Sequence, residues 1–502
     1  MSPLGRLATD EHFARRVLFA VLALGFVVRL WNLTAPIADR HSWNQISTAT
    51  VIRHFVEDGL DPLHPQWDVL KGDETGPRIE AEEAPLYHVA TALFARLFGP
   101  PEPIARLLSI IASLVAAWFL FRLVRRLADD LAATCAALFF LLAPFGWYYG
   151  RAVMSDMWMV AMLVVAVERY EYWLREKCPA ALFQAALAVM LAGLFKPFAL
   201  HVGLALLIMQ IGRGGLRSLL DWRLFVFAAI ALAPPLLWVR HAAQIGSLGN
   251  VTAAGESWLT AEHLWGPVGL LWSGEFWFKI QARLLDQMAT PIVSVLAGVA
   301  LLWPESRRRA GPLIAWLIAA LAYLLLVRDG NQMHDYYQLP FLPVLAALAG
   351  IGLAQLATRL DHRWIALLLA VFVVWSGLYV RSAFRLDLSS HRAGLLVREV
   401  SRHDDLILAL DPGVTRKNQV LYAAHRRGWH ERSLKADTIT KHVARGARWL
   451  VLCLSDDQWE RHPQWRERLD GLPLIARDRG AYGPRGQTHT LEVYSLAGLA
   501  EI

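Results

Sequence analysis

Long apolar runs alternate with short polar segments between residues 15 and 380. A helix needs about 20 apolar residues to cross the hydrocarbon core of a bilayer, and most of these runs approach that length. The pattern therefore predicts a polytopic α-helical membrane protein with about eleven spans. The predicted spans are 15–33, 104–125, 131–149, 153–173, 180–195, 198–212, 223–240, 285–303, 312–328, 340–357 and 364–380.

The start of the chain sets the orientation. Arg6, Arg15 and Arg16 come before the bulk of the first apolar run, and no small-residue cleavage site follows that run. We therefore predict a retained signal anchor whose N-terminus is cytoplasmic.

Segment 85–98 is apolar, but at about 14 residues it is short for a span, and it contains His88 and Arg96. If it does not cross, the basic clusters between the later spans all fall on the cytoplasmic side, as the positive-inside rule requires. We therefore predict a juxtamembrane helix against the outer leaflet. The clusters are Arg122/Arg125/Arg126, Arg175/Lys177, Arg213/Arg217, Arg307/Arg308/Arg309 and Arg359/Arg363.

This topology predicts a membrane domain over residues 1–384 with its large loops on the extracytoplasmic side. These loops are 34–103, which we call the first loop, and 241–284. Loop 241–284 carries tryptophans that are typical of an interfacial aromatic belt, although a groove or gate for a lipid tail is the alternative. The tryptophans are Trp258, Trp265, Trp272 and Trp277.

Residues 385–502 have a different pattern, in which short β-rich runs alternate with polar helical stretches such as 393–403 and 437–446. That alternation predicts a separate soluble α/β domain. It contains no GxGxxG or P-loop sequence that would indicate nucleotide binding. The β-rich runs are LILAL (406–410), WLVLCL (449–454), LPLIA (472–476) and LEVYSL (491–496).

Composition supports the membrane assignment, since 56% of the residues are hydrophobic. The formal charge of +7 does not indicate a nucleic-acid partner, because the basic residues form short clusters between spans, where topology explains them. Cys135, Cys178 and Cys453 are far apart, with neither CxxC nor metal-ligand spacing.

Two carboxylates of the first loop are candidates for chemistry. Asp39 follows the first span at the predicted water boundary, two residues before His41, and ionisable clusters in partly desolvated clefts are frequent at functional sites. A carboxylate there can accept the proton of a hydroxyl, or it can simply structure the loop. Glu83 precedes Ala84-Pro85, so it is either a second site carboxylate or an acid favoured at a helix N-terminus.

Three further candidates lie at span boundaries on the same predicted face. Lys196 interrupts an apolar run directly before Pro197, and a compact cation at a membrane break suits a phosphate. Arg151 and Asp156 occur in RAVMSD, where they are either site residues or a structural ion pair.

The aromatic stretch 329–343 contains His334, Tyr336 and Tyr337. Such residues at the end of a span are often merely interfacial. Their side chains could instead donate hydrogen bonds to a phosphate oxygen.

Together these stretches resemble the GT-C glycosyltransferases, in particular the branch with protein O-mannosyltransferases and lipid A aminoarabinose transferases. The resemblance covers most of the chain in order and spacing. The similar stretches are DRHSWNQISTATVIRHFVEDGLDPLHPQWD, EAPLYHVATALFARLFG, RAVMSD, the Lys-Pro break, HDYYQLPFLP, LYAAHRRGW and GARWLVL.

The resemblance implies an inverting glycosyltransferase in the bacterial cytoplasmic membrane, with its site and its C-terminal domain on the extracytoplasmic side. The donor would be a polyprenyl-phosphate-linked sugar, and the acceptor a hydroxyl of a glycolipid, polysaccharide or protein. Asp39 would be the general base and Glu83 a second catalytic carboxylate. The family's acidic motif often reads Asp-Glu, whereas Arg40 follows Asp39 here. Only Asp39 therefore matches the motif, and Glu83 is our candidate for the second carboxylate.

In this hypothesis the leaving phosphate is stabilised by Lys196 and Arg151, helped by His334, Tyr336 or Tyr337. We expect no cofactor and no obligatory divalent metal, because no DxD cluster stands beside Asp39, although first-loop acids could recruit a metal. The alternatives are a membrane scaffold and a transporter or flippase of lipid-linked saccharides. A transporter predicts inverted repeats and polar residues near mid-bilayer, whereas the charges here gather at one predicted face.

Overall fold

The computed structural model describes residues 11–72, 76, 78–245, 266–412 and 418–499. Arg6, Trp258 and Trp265 lie outside these ranges. Most of the described chain is helical, as the apolar pattern predicts. The α-helices are α1 Glu11–Arg29, α2 Ser42–Glu57, α3 Leu86–Phe98, α4 Pro101–Leu127, α5 Asp130–Leu142, α6 Pro144–Tyr149, α7 Asp156–Glu176, α8 Pro179–Phe195, α9 Val202–Gly214, α10 Trp222–Gln244, α11 Gly274–Ala282, α12 Thr290–Leu302, α13 Pro304–Arg309, α14 Gly311–Leu326, α15 Arg328–Met333, α16 Phe341–Ala357, α17 His362–Val380, α18 Ser389–Val400, α19 Gln419–Ala424, α20 Thr438–Val443, α21 Asp456–Arg461 and α22 Gln464–Leu469.

The chain divides into two compact units. The first unit comprises residues 1–33, 81–87 and 105–382, and the second comprises 34–80, 88–104 and 383–502. The sequence predicts a boundary at residue 384 between a membrane domain and a soluble domain. That division remains a prediction.

Apolar helices correspond to the predicted spans, and the prediction of an integral membrane protein with a helical fold is confirmed. Within the described ranges, four helical segments are long and apolar enough to cross a membrane: Pro101–Leu127, Pro197–Gly214, Trp222–Gln244 and His362–Val380. A bent pair, Gly274–Met288 with Thr290–Leu302, forms a fifth candidate with a 99° angle between its halves. The total of eleven spans and the juxtamembrane role of α3 remain predictions.

A buried arginine organises the helix ends of the first unit near the predicted outer face. Arg29, at the end of α1, is fully buried and donates to the carbonyls of Gly25, Leu141 and Gly146 at 2.6–2.7 Å. Pro144 breaks the predicted span 131–149 into α5 and α6, which frees carbonyls for the guanidinium. A Cβ on Gly146 would lie 1.9 Å from the carbonyl oxygen of Phe140, so the close approach of α6 to the end of α5 requires glycine.

The second unit contains a five-stranded sheet of order β4-β3-β5-β7-β6. Strands β3, β4 and β5 are parallel, and β7 is antiparallel to both β5 and β6. The four predicted β-rich runs all form strands, and the helices alternate with them as expected. The strands are β1 Gln66–Trp67, β2 Arg78–Ile79, β3 Leu406–Leu410, β4 Gly428–Glu431, β5 Ala447–Ser455, β6 Leu474–Ala481 and β7 Thr488–Ser495.

Part of the first loop folds with this sheet. Val69 forms a parallel bridge to Gly428 at the start of β4, and two backbone hydrogen bonds flank it: Leu70 to the Gly428 carbonyl and Gly428 to the Asp68 carbonyl. A Cβ on Gly428 would lie 1.8 Å from the carbonyl oxygen of Ile407, so the backbones can approach only at a glycine. The segment Asp68–Leu70 of the first loop is therefore part of this fold.

A buried polar cluster holds α2 to this segment. Arg53 Nη2 donates to Asp68 Oδ1 at 2.6 Å, and His54 Nε2 lies 3.0 Å from the same oxygen. The other ring nitrogen of His54 contacts Asp58. Burial lowers the pKa of His54, but the hydrogen bond and charge of Asp68 raise it more, so the pKa lies above its usual 6.5. Burial raises the pKa of Asp68, whereas the charge of Arg53 holds it below 3.8.

These shifts predict a pH-dependent contribution of His54 to stability. Protonated His54 donates from both ring nitrogens, so its stabilisation is complete below about pH 6.5 and is lost as pH rises through the raised folded-state pKa. We expect His54→Asn to lower the free energy of unfolding by about 1–3 kcal/mol at pH 6 and by less at pH 9. Thermal unfolding of both proteins in one detergent measures this, and an equal difference at the two pH values would contradict it.

Candidate functional site

A broken helix in the first unit places the Lys196 side chain. The apolar helix α8 ends at Phe195, and Lys196 is extended with φ −153° and ψ 114°. Pro197 causes this break, because proline disfavours helical backbone in the residue before it and cannot donate to the preceding turn. Pro197 then begins the short 3-10 helix Pro197–His201. The Lys-Pro pair therefore sets a lysine at a helix end, as the sequence predicts.

The ammonium of Lys196 lies beside two carboxylates. Its Nζ is 2.5 Å from Glu83 Oε2 and 3.9 Å from Asp156 Oδ2. The Lys196 and Glu83 side chains are 17% and 13% exposed, and that of Asp156 is 2% exposed. Because unpaired charge is costly at such a position, the three groups hold one another in place.

Two further contacts fix Glu83. Ser155 Oγ donates to Glu83 Oε1 at 2.6 Å, and the Ala84 amide donates to the Leu194 carbonyl at 3.0 Å. The segment Ala81–Tyr87 is thereby attached to the end of α8 and to the start of α7. Asp156 is the first residue of α7, where the helix dipole favours a carboxylate.

The aromatic residues of segment 334–337 lie next to the same break. Phe198, two residues after Lys196, stacks on Tyr337 with ring centroids 5.0 Å apart. His334 stacks on Tyr336 at 5.2 Å and 19° between ring planes, and Tyr336 contacts Tyr337 at 5.3 Å. Tyr337 also interacts electrostatically with Lys196. The structure therefore brings together Glu83, Asp156, Lys196 and Tyr337, with Tyr336 and His334 packed against them.

The two tyrosines are neutral hydrogen-bond donors. Burial raises the pKa of Tyr336 well above its usual 10, and burial likewise raises that of Tyr337, although the charge of Lys196 lowers it. Their hydroxyls therefore keep their protons at physiological pH and can donate to an anionic oxygen.

Arg151 contacts the turn after α1 in the first unit. It is buried, and its Nη2 donates to the carbonyl of Asn32 at 3.0 Å, in the turn after α1. This contact braces the chain at the end of the first apolar helix. A role in binding phosphate remains a prediction for Arg151.

Asp39 and His41 belong to the second unit. Asp39 is 6% exposed in the turn before α2, and Gln45 Nε2 donates to its Oδ1 at 2.7 Å. His41 has φ 54° in the left-handed region, a conformation that costs a non-glycine residue about 1–2 kcal/mol. Strained backbone of this kind is concentrated at functional sites, which makes the Asp39 turn a candidate on geometry as well as on sequence.

Sequence reasoning missed two residues of the first-unit site. Ser155 precedes α7, and a serine there usually caps the helix, so the signal was present but its partner, Glu83, was not foreseeable. Tyr149 donates to Asp335 Oδ1 at 2.7 Å and attaches segment 334–337 to α6, a contact with no sequence signal.

The first-unit arrangement can bind an anion. A lysine ammonium has three N–H donors, and Glu83 accepts one of them, while Asp156 at 3.9 Å is beyond hydrogen-bond distance. In the described part of the chain, no group of three or more His, Cys, Asp or Glu side chains is arranged to hold a metal ion.

Comparisons with known proteins point to one fold. A family model for dolichyl-phosphate-mannose-protein mannosyltransferases matches residues 82–238, which include Glu83, Arg151, Asp156 and Lys196. None of the curated protein sequences matches this chain.

Two solved proteins are similar over almost the whole chain. ArnT from Cupriavidus metallidurans in the apo state has a TM-score of 0.61 and 15% identity, covering 96% of this chain and 98% of that chain. A second ArnT structure, bound to undecaprenyl phosphate, has the same TM-score and coverage with 16% identity. AglB from Archaeoglobus fulgidus, an oligosaccharyltransferase in complex with an inhibitory peptide and a dolichol-phosphate, has a TM-score of 0.58 and 12% identity, covering 94% and 74%.

At these identities the likeness establishes the fold. The predicted resemblance to GT-C glycosyltransferases and the predicted GT-C type of fold are therefore confirmed. None of these comparisons supports a transporter.

The Lys196–Glu83 pair predicts a specific stability pattern. Lys196→Met should lower the free energy of unfolding by up to about 3–5 kcal/mol, because two carboxylates lose their cation. The double variant Lys196→Met/Glu83→Gln should recover part of this loss, since only Asp156 then lacks the ammonium. Thermal unfolding in detergent measures both variants.

Lys279 provides a matched control, because it pairs with Glu275 on an exposed helix face. Lys279→Met should change the free energy of unfolding by at most about 1 kcal/mol. A double variant no more stable than Lys196→Met would show that the pair is not what holds this site.

Proposed function

We propose that this protein is an inverting glycosyltransferase that moves a sugar from a polyprenyl-phosphate donor to an acceptor hydroxyl. The observation that carries the proposal is the lysine ammonium at a helix break, beside Glu83, Asp156 and the Tyr337 phenol. The GT-C fold, the match to a mannosyltransferase family model and ArnT's binding of undecaprenyl phosphate support it.

Lys196 binds the donor phosphate in this proposal. Its remaining N–H donors are charged and held in place before the reaction by Glu83, so they stabilise negative charge without reorganisation. Further hydrogen-bond donors for the phosphate come from Tyr336, Tyr337 and His334. Arg151 is a further candidate for binding the phosphate. Glu83 holds the Lys196 ammonium in position and keeps it protonated. Glu83 therefore contributes to catalysis without transferring a proton itself.

Asp39 is the general base. It accepts the proton of the acceptor hydroxyl as that oxygen attacks the anomeric carbon, and the bond between that carbon and the phosphate oxygen breaks. The electron pair of this bond leaves with the polyprenyl phosphate. One displacement inverts the anomeric configuration. The acceptor is a hydroxyl of a glycolipid, polysaccharide or protein. His41 and Asp156 are further candidate residues of the site.

We place the reaction at the extracytoplasmic face of the bacterial cytoplasmic membrane. The positive-inside rule supports this side, because it puts the basic clusters between spans in the cytoplasm. The first loop and the C-terminal domain then face outward.

Asp39→Asn tests the general base. We expect kcat for the transfer of radiolabelled sugar from carrier lipid to fall about 10²–10⁴-fold in purified protein, because an amide cannot accept the proton. Asp61→Asn, which changes an exposed carboxylate of the same loop, should leave kcat unchanged. Near-normal turnover of Asp39→Asn would remove Asp39 from this role.

Metal removal tests the expectation that no divalent metal is required. Turnover should persist in excess EDTA, because an ammonium and neutral hydroxyls provide the charge stabilisation in this proposal. Loss of all activity in EDTA, restored by Mn²⁺ or Mg²⁺, would overturn that expectation.

A further inference from the structure

Three hydrogen bonds attach the backbone on both sides of Asp39 to the C-terminal part of the second unit. Gln419 Nε2 donates to the Ile37 carbonyl at 2.7 Å, and the Asp387 amide donates to the Ala38 carbonyl at 2.7 Å. The Arg40 amide donates to the Ala383 carbonyl at 3.2 Å. The backbone before and after Asp39 is thus bonded to the C-terminal part of the chain by two backbone groups and one side chain.

The donors of the first two bonds are themselves fixed. Gln419 is 1% exposed at the start of α19, so its amide is confined by packing. Asp387 is fixed because the next residue, Leu388, donates to the Tyr482 carbonyl at 2.9 Å, and its own carboxylate accepts from the Ser389 hydroxyl at 2.5 Å. Tyr482 directly follows β6, so the C-terminal sheet determines where Asp387 lies.

The acceptors are buried as well. Ile37 and Ala38 are 3% and 2% exposed, and a buried carbonyl without a partner is costly. Removing the Gln419 amide therefore frees the Ile37 carbonyl to seek another partner, which shifts the turn that leads to Asp39. Gln45, on α2, orients the carboxylate and also donates to the Arg40 carbonyl at 3.0 Å, so it contacts the turn from the α2 side.

We propose that the C-terminal domain positions the general base, with Gln419 as the positioning residue. This inference rests on the proposed function, because it assigns Asp39 its catalytic role. It gives the C-terminal domain a part in catalysis, although the domain contributes no reacting group. Displacement of a catalytic group by about 1 Å can cost 10²-fold in rate, so one hydrogen bond at this place is sufficient.

The test compares Gln419→Met with Gln458→Met in the purified full chain. Methionine keeps the length of the side chain and removes its amide. Gln458 is a matched control from the same unit, because its Oε1 accepts from the Ser455 amide in the capping box of α21, which involves none of residues 37–40. Two readouts are used: hydrogen exchange of the Arg40 and Asp387 amides, and kcat and KM for transfer from the lipid-linked donor.

For Gln419→Met we expect about tenfold faster exchange of both amides. We also expect a roughly 10²-fold lower kcat with donor KM changed by less than about twofold. Gln458→Met should change neither exchange at these amides nor kcat. Unchanged exchange in Gln419→Met would overturn the positioning contact, and faster exchange with unchanged kcat would overturn its catalytic importance. Faster exchange together with no transfer by the wild-type protein would overturn the proposed function and leave Gln419 as a purely structural brace.

Discussion

A positive charge at a broken helix is the constraint on which the first unit depends. Lys196 stands between two apolar helical segments because Pro197 ends α8, and a charge so placed must be paired. Pairing with Glu83 brings in the segment Ala81–Tyr87, and the proximity of Asp156 brings in the start of α7. Phe198 then stacks on Tyr337 and so fixes the aromatic segment. Four stretches distant in sequence meet because one ammonium requires partners.

In the second unit, the requirement is to hold the Asp39 carboxylate in position. The Asp39 turn is short and strained at His41, and Gln45 of α2 donates to both the Asp39 carboxylate and the Arg40 carbonyl. The C-terminal part of the unit adds three further contacts, from the Gln419 side chain at the start of α19 and from the backbone of Asp387 and Ala383. This arrangement follows the general rule that functional groups on loops are positioned by a rigid scaffold.

Features encoded locally could be predicted from the sequence. The apolar runs predicted the positions of most long helices, although Pro144 divides the predicted span 131–149. LILAL forms β3 over the same residues 406–410, and the Lys-Pro pair indicated the helix break. Strand β4 was missed because its four residues, GWHE, are too few and too polar to show a period, and its pairing depends on the close approach at Gly428. The contacts of Ser155 and Gln419 were missed because partners 72 and 382 residues away in sequence leave no local signal.

The position of the carrier phosphate is the most direct test of the role of Lys196. A cryo-EM structure of the full chain in lipid nanodiscs with a bound polyprenyl phosphate would show it. We predict a phosphate oxygen within about 3 Å of Lys196 Nζ, with the Tyr337 hydroxyl bonded to the same phosphate. A phosphate bound elsewhere, with Lys196 still engaged by Glu83 alone, would contradict it.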